Sequence, residues 1–200
     1  IAAKFRNNGQ VCISPNRFYI QENVKDEFIN AFVNRAKKLK IGNGMDKETL
    51  LGPLCTKQRL EGVEKLVETT KKEGGKVLLG GKRAANFNKG YYYEPTIFDD
   101  VEDNFTVMKE EPFGPIVPIL TFKDFDEVMK RANDNDLGLC SYIYTTDLKK
   151  ANKASELIES GCVAVNTPVV AVAEAPFGGI KQTGYGREGG SMAIKDYLNI

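Results

Sequence analysis

The 200-residue sequence contains no histidine. For this chain alone, that absence excludes Cys-His proteases, Ser-His-Asp hydrolases and histidine-ligated metal sites. Proton transfer must then run through a carboxylate, a lysine, a tyrosine or water. Charge of one sign is also missing: 28 Lys and Arg against 27 Asp and Glu leave a formal net charge of +1. Such a balance gives no reason to expect nucleic acid or an anionic membrane as a partner. No uncharged apolar run is long enough to cross a bilayer, and no signal-peptide pattern opens the chain. The four cysteines, Cys12, Cys55, Cys140 and Cys162, are far apart and form no CxxC pair. Their spacing argues against structural zinc and against a disulfide framework, so no metal and a reducing, cytoplasmic setting are expected. An initiator methionine is lacking too. The chain starts at Ile1, from which we expect a piece of a longer protein.

What remains is ordinary globular material, 42% hydrophobic and 28% charged. A β-favouring run covers Arg17 to Gln21, and amphipathic helices are predicted over Asn23–Leu39 and Thr56–Glu73. Lys76 to Leu79 reads as a small strand. Tyr91 to Phe98 reads as an extended segment interrupted by Pro95, hence an irregular or edge strand. Further on, strands are predicted at Ile116–Phe122, Leu139–Tyr144 and Gly161–Asn166, with helices at Asp124–Asn133 and about Leu148–Glu159. Strand alternating with helix predicts an α/β fold with a mainly parallel, three-layer α/β/α sheet. We place one domain over 1–167 and a glycine-rich C-terminal segment over 168–200. A short helix leading into a strand is expected from Met192 to Ile200.

The segment Phe5-Arg6-Asn7-Asn8-Gly9-Gln10-Val11-Cys12-Ile13-Ser14 concentrates chemistry. Gly9 permits a tight turn, and the side chains of Asn8 and Gln10 can hold a loop. Arg6 and Arg17 put positive charge near the thiol, a setting that favours the nucleophilic thiolate. On these residues alone, Cys12 is either a reactive thiol or a structural cysteine beside a turn. Two other segments stand out. Glu110-Glu111-Pro112-Phe113-Gly114-Pro115 is a proline-punctuated turn before a strand, and its carboxylates are either solvated or functional. Pro176-Phe177-Gly178-Gly179-Ile180-Lys181-Gln182-Thr183-Gly184-Tyr185-Gly186-Arg187-Glu188 is dense in glycine but is not a G-x-G-x-x-G phosphate loop.

Together these segments resemble the aldehyde dehydrogenase superfamily, in which Asn-x-Gly-Gln-x-Cys presents the thiol that attacks the aldehyde. Gly52-Pro53-Leu54, Glu94-Pro95-Thr96 and Asn133 with Gly138-Leu139 follow the family order as well, so the resemblance covers the whole chain. It implies that Cys12 is the nucleophile, that Glu111 hydrogen-bonds the nicotinamide ribose, and that Phe113 packs beside the nicotinamide of NAD or NADP. Phe177 would line the aldehyde channel. Glu188 would serve a water or proton path, or else a structural ion pair.

Lys4-Phe5-Arg6-Asn7, Val165-Asn166-Thr167 and Gly186-Arg187-Glu188-Gly189 are similar to the succinate-semialdehyde dehydrogenases, where Arg6 would grip the distal carboxylate of the substrate. Ala171 departs from a serine of that subgroup, and Ser14 departs from a second cysteine found in some of its members. The resemblance further implies a homodimer or homotetramer of the longer enzyme. It places the cofactor domain, an oxyanion asparagine and a general-base glutamate upstream, so the isolated chain is expected to be inactive. Another small aldehyde as substrate, or a non-catalytic thiol-reactive or interaction module, are the competing readings.

Overall fold

The computed structural model describes residues 1–199 and divides into two compact units, Ile1–Lys123 and Asp124 onward. This division falls inside the domain drawn over 1–167 from the sequence. In the first unit a short helix α1 (Ala2–Phe5) precedes β1 (Phe18–Gln21), α2 (Lys25–Ala36), α3 (Lys57–Glu73), β2 (Lys76–Leu79), β3 (Thr96–Asp99), α4 (Thr106–Lys109) and β4 (Ile116–Phe122). The four strands form one sheet in the order β1-β4-β3-β2. Strand β4 runs parallel to both β1 and β3, and β2 closes the sheet antiparallel to β3.

Side-chain alternation in the strands sorts the core onto two faces. Phe98, Ile116 and Leu120 pack with Leu60, Val63, Leu66 and Val67 of α3. Ile97, Val117 and Ile119 pack on the other side with Phe32 and Ala36 of α2 and with Phe5 of α1. Helices therefore cover both faces, which makes the three layers of an α/β fold. α3 is well specified locally. Thr56 caps it by accepting the Arg59 N–H at 3.0 Å, its apolar residues recur at three- and four-residue spacing, and Gly74 ends it at φ +112°.

The segment Tyr91–Phe98 is neither a single strand nor an edge. Pro95 precedes β3 instead of interrupting it, so its missing N–H costs no ladder bond, and β3 lies inside the sheet. Tyr93, upstream of it, makes only an isolated bridge to Arg83. A proline does sit within an interior strand, at Pro118. There the pairing of β4 with β3 ends, and pairing with β1 begins at Ile119.

The second unit contains α5 (Phe125–Asn133), β5 (Leu137–Gly138), β6 (Cys140–Ile143), α6 (Leu148–Leu157), β7 (Cys162–Val165) and β8 (Ile180–Lys181). β6 and β7 pair in parallel across α6. The strand expected over Leu139–Tyr144 is present as β6, and just ahead of it the short β5 turns away to pair antiparallel with β8 of the glycine-rich segment. Glycine makes this approach possible. A β-carbon on Gly138 would sit 2.7 Å from the Glu159 carbonyl oxygen, and one on Gly161 would sit 2.0 Å from that of Gly178. Near the C-terminus a 3-10 turn covers Ala193–Tyr197. The strand expected to follow it reaches Ile200, which lies outside the described residues. No helix among the described residues is long and apolar enough to cross a membrane.

Candidate active site

Between α1 and β1 the chain makes a compact loop that presents Cys12 to solvent as a free thiol. Three consecutive residues, Asn7, Asn8 and Gly9, are left-handed, with φ of 50°, 59° and 72°. Asparagine and glycine are the residues that tolerate this region best, which explains the local composition. The polar side chains then lock the turn. Asn7 Nδ2 donates to the Gln10 carbonyl at 3.0 Å, and Gln10 Nε2 donates back to the Asn7 carbonyl at 3.1 Å.

Two further bonds dock the loop onto the segment before α3. Asn8 Nδ2 donates to the Gly52 carbonyl, and Gln10 Oε1 accepts the Cys55 N–H at 3.0 Å. The Gly52-Pro53-Leu54 motif is thus a backbone seat for the thiol loop. Buried Ser14 closes the loop on itself, its hydroxyl donating to the Lys4 carbonyl at 3.0 Å.

On another side the loop meets the Pro112–Gly114 turn. A β-carbon on Gly9 would lie 2.3 Å from the Gly114 carbonyl oxygen, so the two backbones are in close contact. This turn joins α4 to β4 and carries exposed Glu111 and half-buried Phe113. Phe113 has φ +37°, a conformation that is strained for a bulky side chain and that tends to occur at functional sites. The Arg59 guanidinium lies over its ring, 5.4 Å from the centroid. The structure therefore brings Cys12, Glu111 and Phe113 onto one frame. Arg6 is exposed at the start of the same loop.

Phe177 and Glu188 lie in the second unit and are brought together by backbone pairing. The Phe177 N–H donates to the Glu188 carbonyl at 2.6 Å, and the Glu188 N–H donates to that of Phe177 at 2.8 Å. Phe177 is half-buried and Glu188 is exposed. Lys181 fixes the segment by donating to the Asn133 and Asn135 carbonyls, each at 2.9 Å, and by pairing with Glu159. Asn166, left-handed at φ 57°, trades hydrogen bonds with the Thr145 backbone and ends β7. Of the other cysteines, Cys162 is buried and Cys140 half-buried, as packing residues should be. Cys55 is exposed and sits on the loop side of the Thr56 cap.

One residue escaped the sequence reading except as part of a motif. Lys4 is only 1% exposed, and its Nζ donates to Asn16 Oδ1 at 3.3 Å. Burial lowers its pKa to about 7, partly offset by the nearby Glu111 carboxylate. A single lysine inside the apolar run Ile1-Ala2-Ala3-Lys4-Phe5 was the available signal.

The donor set suits a dinucleotide in kind. A solvent-facing carboxylate at Glu111 can accept both hydroxyls of a ribose diol, and the neighbouring ring at Phe113 offers an aromatic wall for a flat heterocycle. The chain belongs to the aldehyde dehydrogenase family, whose model matches residues 1–200. It is 43% identical over all 200 residues to a glutarate-semialdehyde dehydrogenase of Pseudomonas putida, of which it covers 41%. It is 42% identical to the succinate-semialdehyde dehydrogenase (NADP(+)) GabD of Escherichia coli, again over the whole chain and 41% of that protein. Among solved structures, the NAD+ complex of an aldehyde dehydrogenase from Bacillus cereus superposes with a TM-score of 0.95 at 39% identity, over 99% of this chain and 40% of that one. The chain thus spans about two fifths of the length of these relatives.

Proposed function

We propose that the protein, at the full length of its relatives, oxidises an aldehyde bearing a distal carboxylate, with succinate semialdehyde first, to the carboxylic acid. The observation that carries this reading is the frame itself: an exposed thiol on a loop that Asn8 and Gln10 pin to the Gly52–Cys55 segment and that Gly9 packs against the turn carrying Phe113, next to Glu111. As thiolate, Cys12 adds through sulfur to the aldehyde carbon, and the carbonyl π pair moves to oxygen. The Cys12 N–H is available to donate to that oxyanion. When bound, NAD or NADP would supply the acceptor for the hydride lost from the thiohemiacetal carbon. Glu111 would hold the nicotinamide ribose and Phe113 would restrain the ring. Water then cleaves the thioester, and Cys12 leaves as thiolate.

Arg6 would pair with the distal carboxylate, while Phe177 would line the aldehyde channel and Glu188 would serve a water or proton path. The remaining roles, including the general base, would fall to residues beyond these 200, and the 200 residues alone would not turn over. Glutarate semialdehyde is the second reading. It is favoured by the name of the Pseudomonas putida relative and by Ala171, which offers no hydroxyl to a shorter substrate.

The test is NAD(P) reduction by the full-length enzyme across aldehydes with and without a distal carboxylate, repeated with Cys12→Ser. Turnover should favour the carboxylate-bearing aldehydes and vanish in the variant while cofactor binding persists. Retained oxidation in Cys12→Ser would remove the central assignment.

A further inference from the structure

We infer that Arg59 is a positioning residue: its guanidinium braces the Phe113 ring from behind and so keeps the aromatic wall of the cofactor site in place. This inference rests on the reading of Phe113 as the wall beside the nicotinamide. Arg59 is the third residue of α3, and its backbone is fixed there, because its N–H is the one that the Thr56 cap accepts at 3.0 Å. The next residue, Leu60, is buried in the core, so the root of the arginine side chain is anchored on both sides.

Four residues further on, along the same face of the helix, stands Val63. A β-carbon on Gly114 would lie 2.6 Å from Val63 Cγ2, so the turn that carries Phe113 rests directly on this helix. Arg59 and Val63 thus hold adjoining residues of one turn. Val63 lies against Gly114, and the Arg59 guanidinium lies over the Phe113 ring, 5.4 Å from its centroid.

Phe113 needs such a hold. Its backbone is left-handed at φ +37°, its ring is half-buried, and among the described residues no other aromatic ring packs against it. Arg59 in turn forms no side-chain hydrogen bond or ion pair among the described residues, yet it is half-buried instead of extended into water. A planar guanidinium is attracted to the electron-rich face of an aromatic ring, and its weak hydration makes that position inexpensive. The ring is therefore the partner that the geometry gives this charge. With one face of Phe113 taken by the cation, the other is left to a flat heterocycle.

A double-mutant cycle in the full-length enzyme tests the inference. The Kd of the reduced dinucleotide, NADH or NADPH, is measured by fluorescence for the wild type, Arg59→Ala, Phe113→Leu and the double variant. Competition then gives the Kd of ADP-ribose, or of its 2′-phosphate, which lacks the nicotinamide. Arg59→Ala should weaken the dinucleotide about two- to fivefold, the strength of a cation over a ring at a partly exposed position, and should spare ADP-ribose. Unchanged ADP-ribose binding also shows that the variant is folded. In the Phe113→Leu background the same substitution should cost nothing further, because its partner is gone. Arg59→Lys should recover only part of the loss, since an ammonium keeps the charge without the plane.

Unchanged dinucleotide affinity in Arg59→Ala would overturn the inference. So would an equal loss in both backgrounds, or an equal loss for ADP-ribose, which would make Arg59 a direct ligand of the sugar-phosphate. If Phe113→Leu itself left dinucleotide binding untouched, the reading of Phe113 as the wall would fail first, and the inference would fall with it.

Discussion

Gly9 offers the sharpest test of the frame that holds Cys12. Replacing it with alanine adds one methyl group in the worst surroundings the loop provides. The residue is left-handed at φ +72°, which costs an L-residue about 1–2 kcal/mol. The new carbon would also stand 2.3 Å from the Gly114 carbonyl oxygen, 2.8 Å from its carbon and 3.2 Å from the Lys4 carbonyl oxygen. All three atoms are backbone, so none can rotate aside, and relieving such an overlap costs about 1–3 kcal/mol.

Gly9→Ala should therefore lose about 2–5 kcal/mol in urea unfolding of the full-length protein, if the loop unfolds with the rest. If the loop moves alone, global stability falls less, and the rate of Cys12 alkylation and the catalytic rate change instead. Gly44→Ala is the matched control. Nothing lies within 4 Å of its added carbon and its φ is not positive, so it should be neutral or stabilise by up to about 1 kcal/mol. Equal stability and equal Cys12 reactivity in the two variants would show that the loop is not packed against the Gly114 turn as described.

The other expectations follow from the same frame. Glu111→Gln should weaken cofactor use and slow hydride transfer with little change in melting temperature, because the side chain is exposed; a loss of thermal stability with normal kinetics would make the carboxylate structural. Arg6→Ala should lower kcat/KM for succinate semialdehyde toward the lower end of ten- to hundredfold, about 1.5–3 kcal/mol for a charge-assisted contact, and should spare an uncharged aldehyde of similar length. Equal losses on both substrates would mean that Arg6 braces the loop.

Much of the architecture was readable because local signals agreed with the global fold. Thr56, the apolar spacing from Leu60 to Val67, and Gly74 mark α3 from start to stop. Asp124 marks α5 in the same way, accepting the Glu127 N–H at 2.8 Å. The misreadings arose where pairing is non-local. Whether Pro95 interrupts a strand or precedes one depends on where β4 begins its ladder, some twenty residues on. The short strand at Leu137–Gly138 went unread because it forms only when Ile180 and Lys181 return to pair with it.

The site shows the same contrast. Its side chains were legible as motifs, yet several motif residues turn out to be scaffold. Asn133 binds the Leu157 carbonyl and the Glu159 N–H, Thr96 accepts the Gly81 N–H, and Gly52 accepts from Asn8. A motif preserves the whole cradle, so its presence alone does not separate the residues that touch substrate from those that hold them.

Lys4 was the least legible residue, and for a physical reason. Nothing in Ala2-Ala3-Lys4-Phe5 tells whether the lysine leaves a short helix toward water or is trapped beneath a loop that closes ten residues later. Only the return of Ser14 and Asn16 decides it. Lowering its pKa from 10.5 to about 7 corresponds to a burial cost on the order of 5 kcal/mol while the group stays charged. That is comparable with the whole net stability of many domains. Folding alone would select an apolar side chain at this position. The cost falls where the Cys12 loop and the Glu111 turn meet, and sites that break a local rule of burial are where function is expected to oppose stability. Strain at Phe113, three left-handed residues in a row at Asn7 to Gly9, and a buried ammonium at Lys4 all sit within this small frame. Each is unfavourable by itself. Together they hold a thiol, a carboxylate and an aromatic ring in fixed relation, which a softer loop would not do.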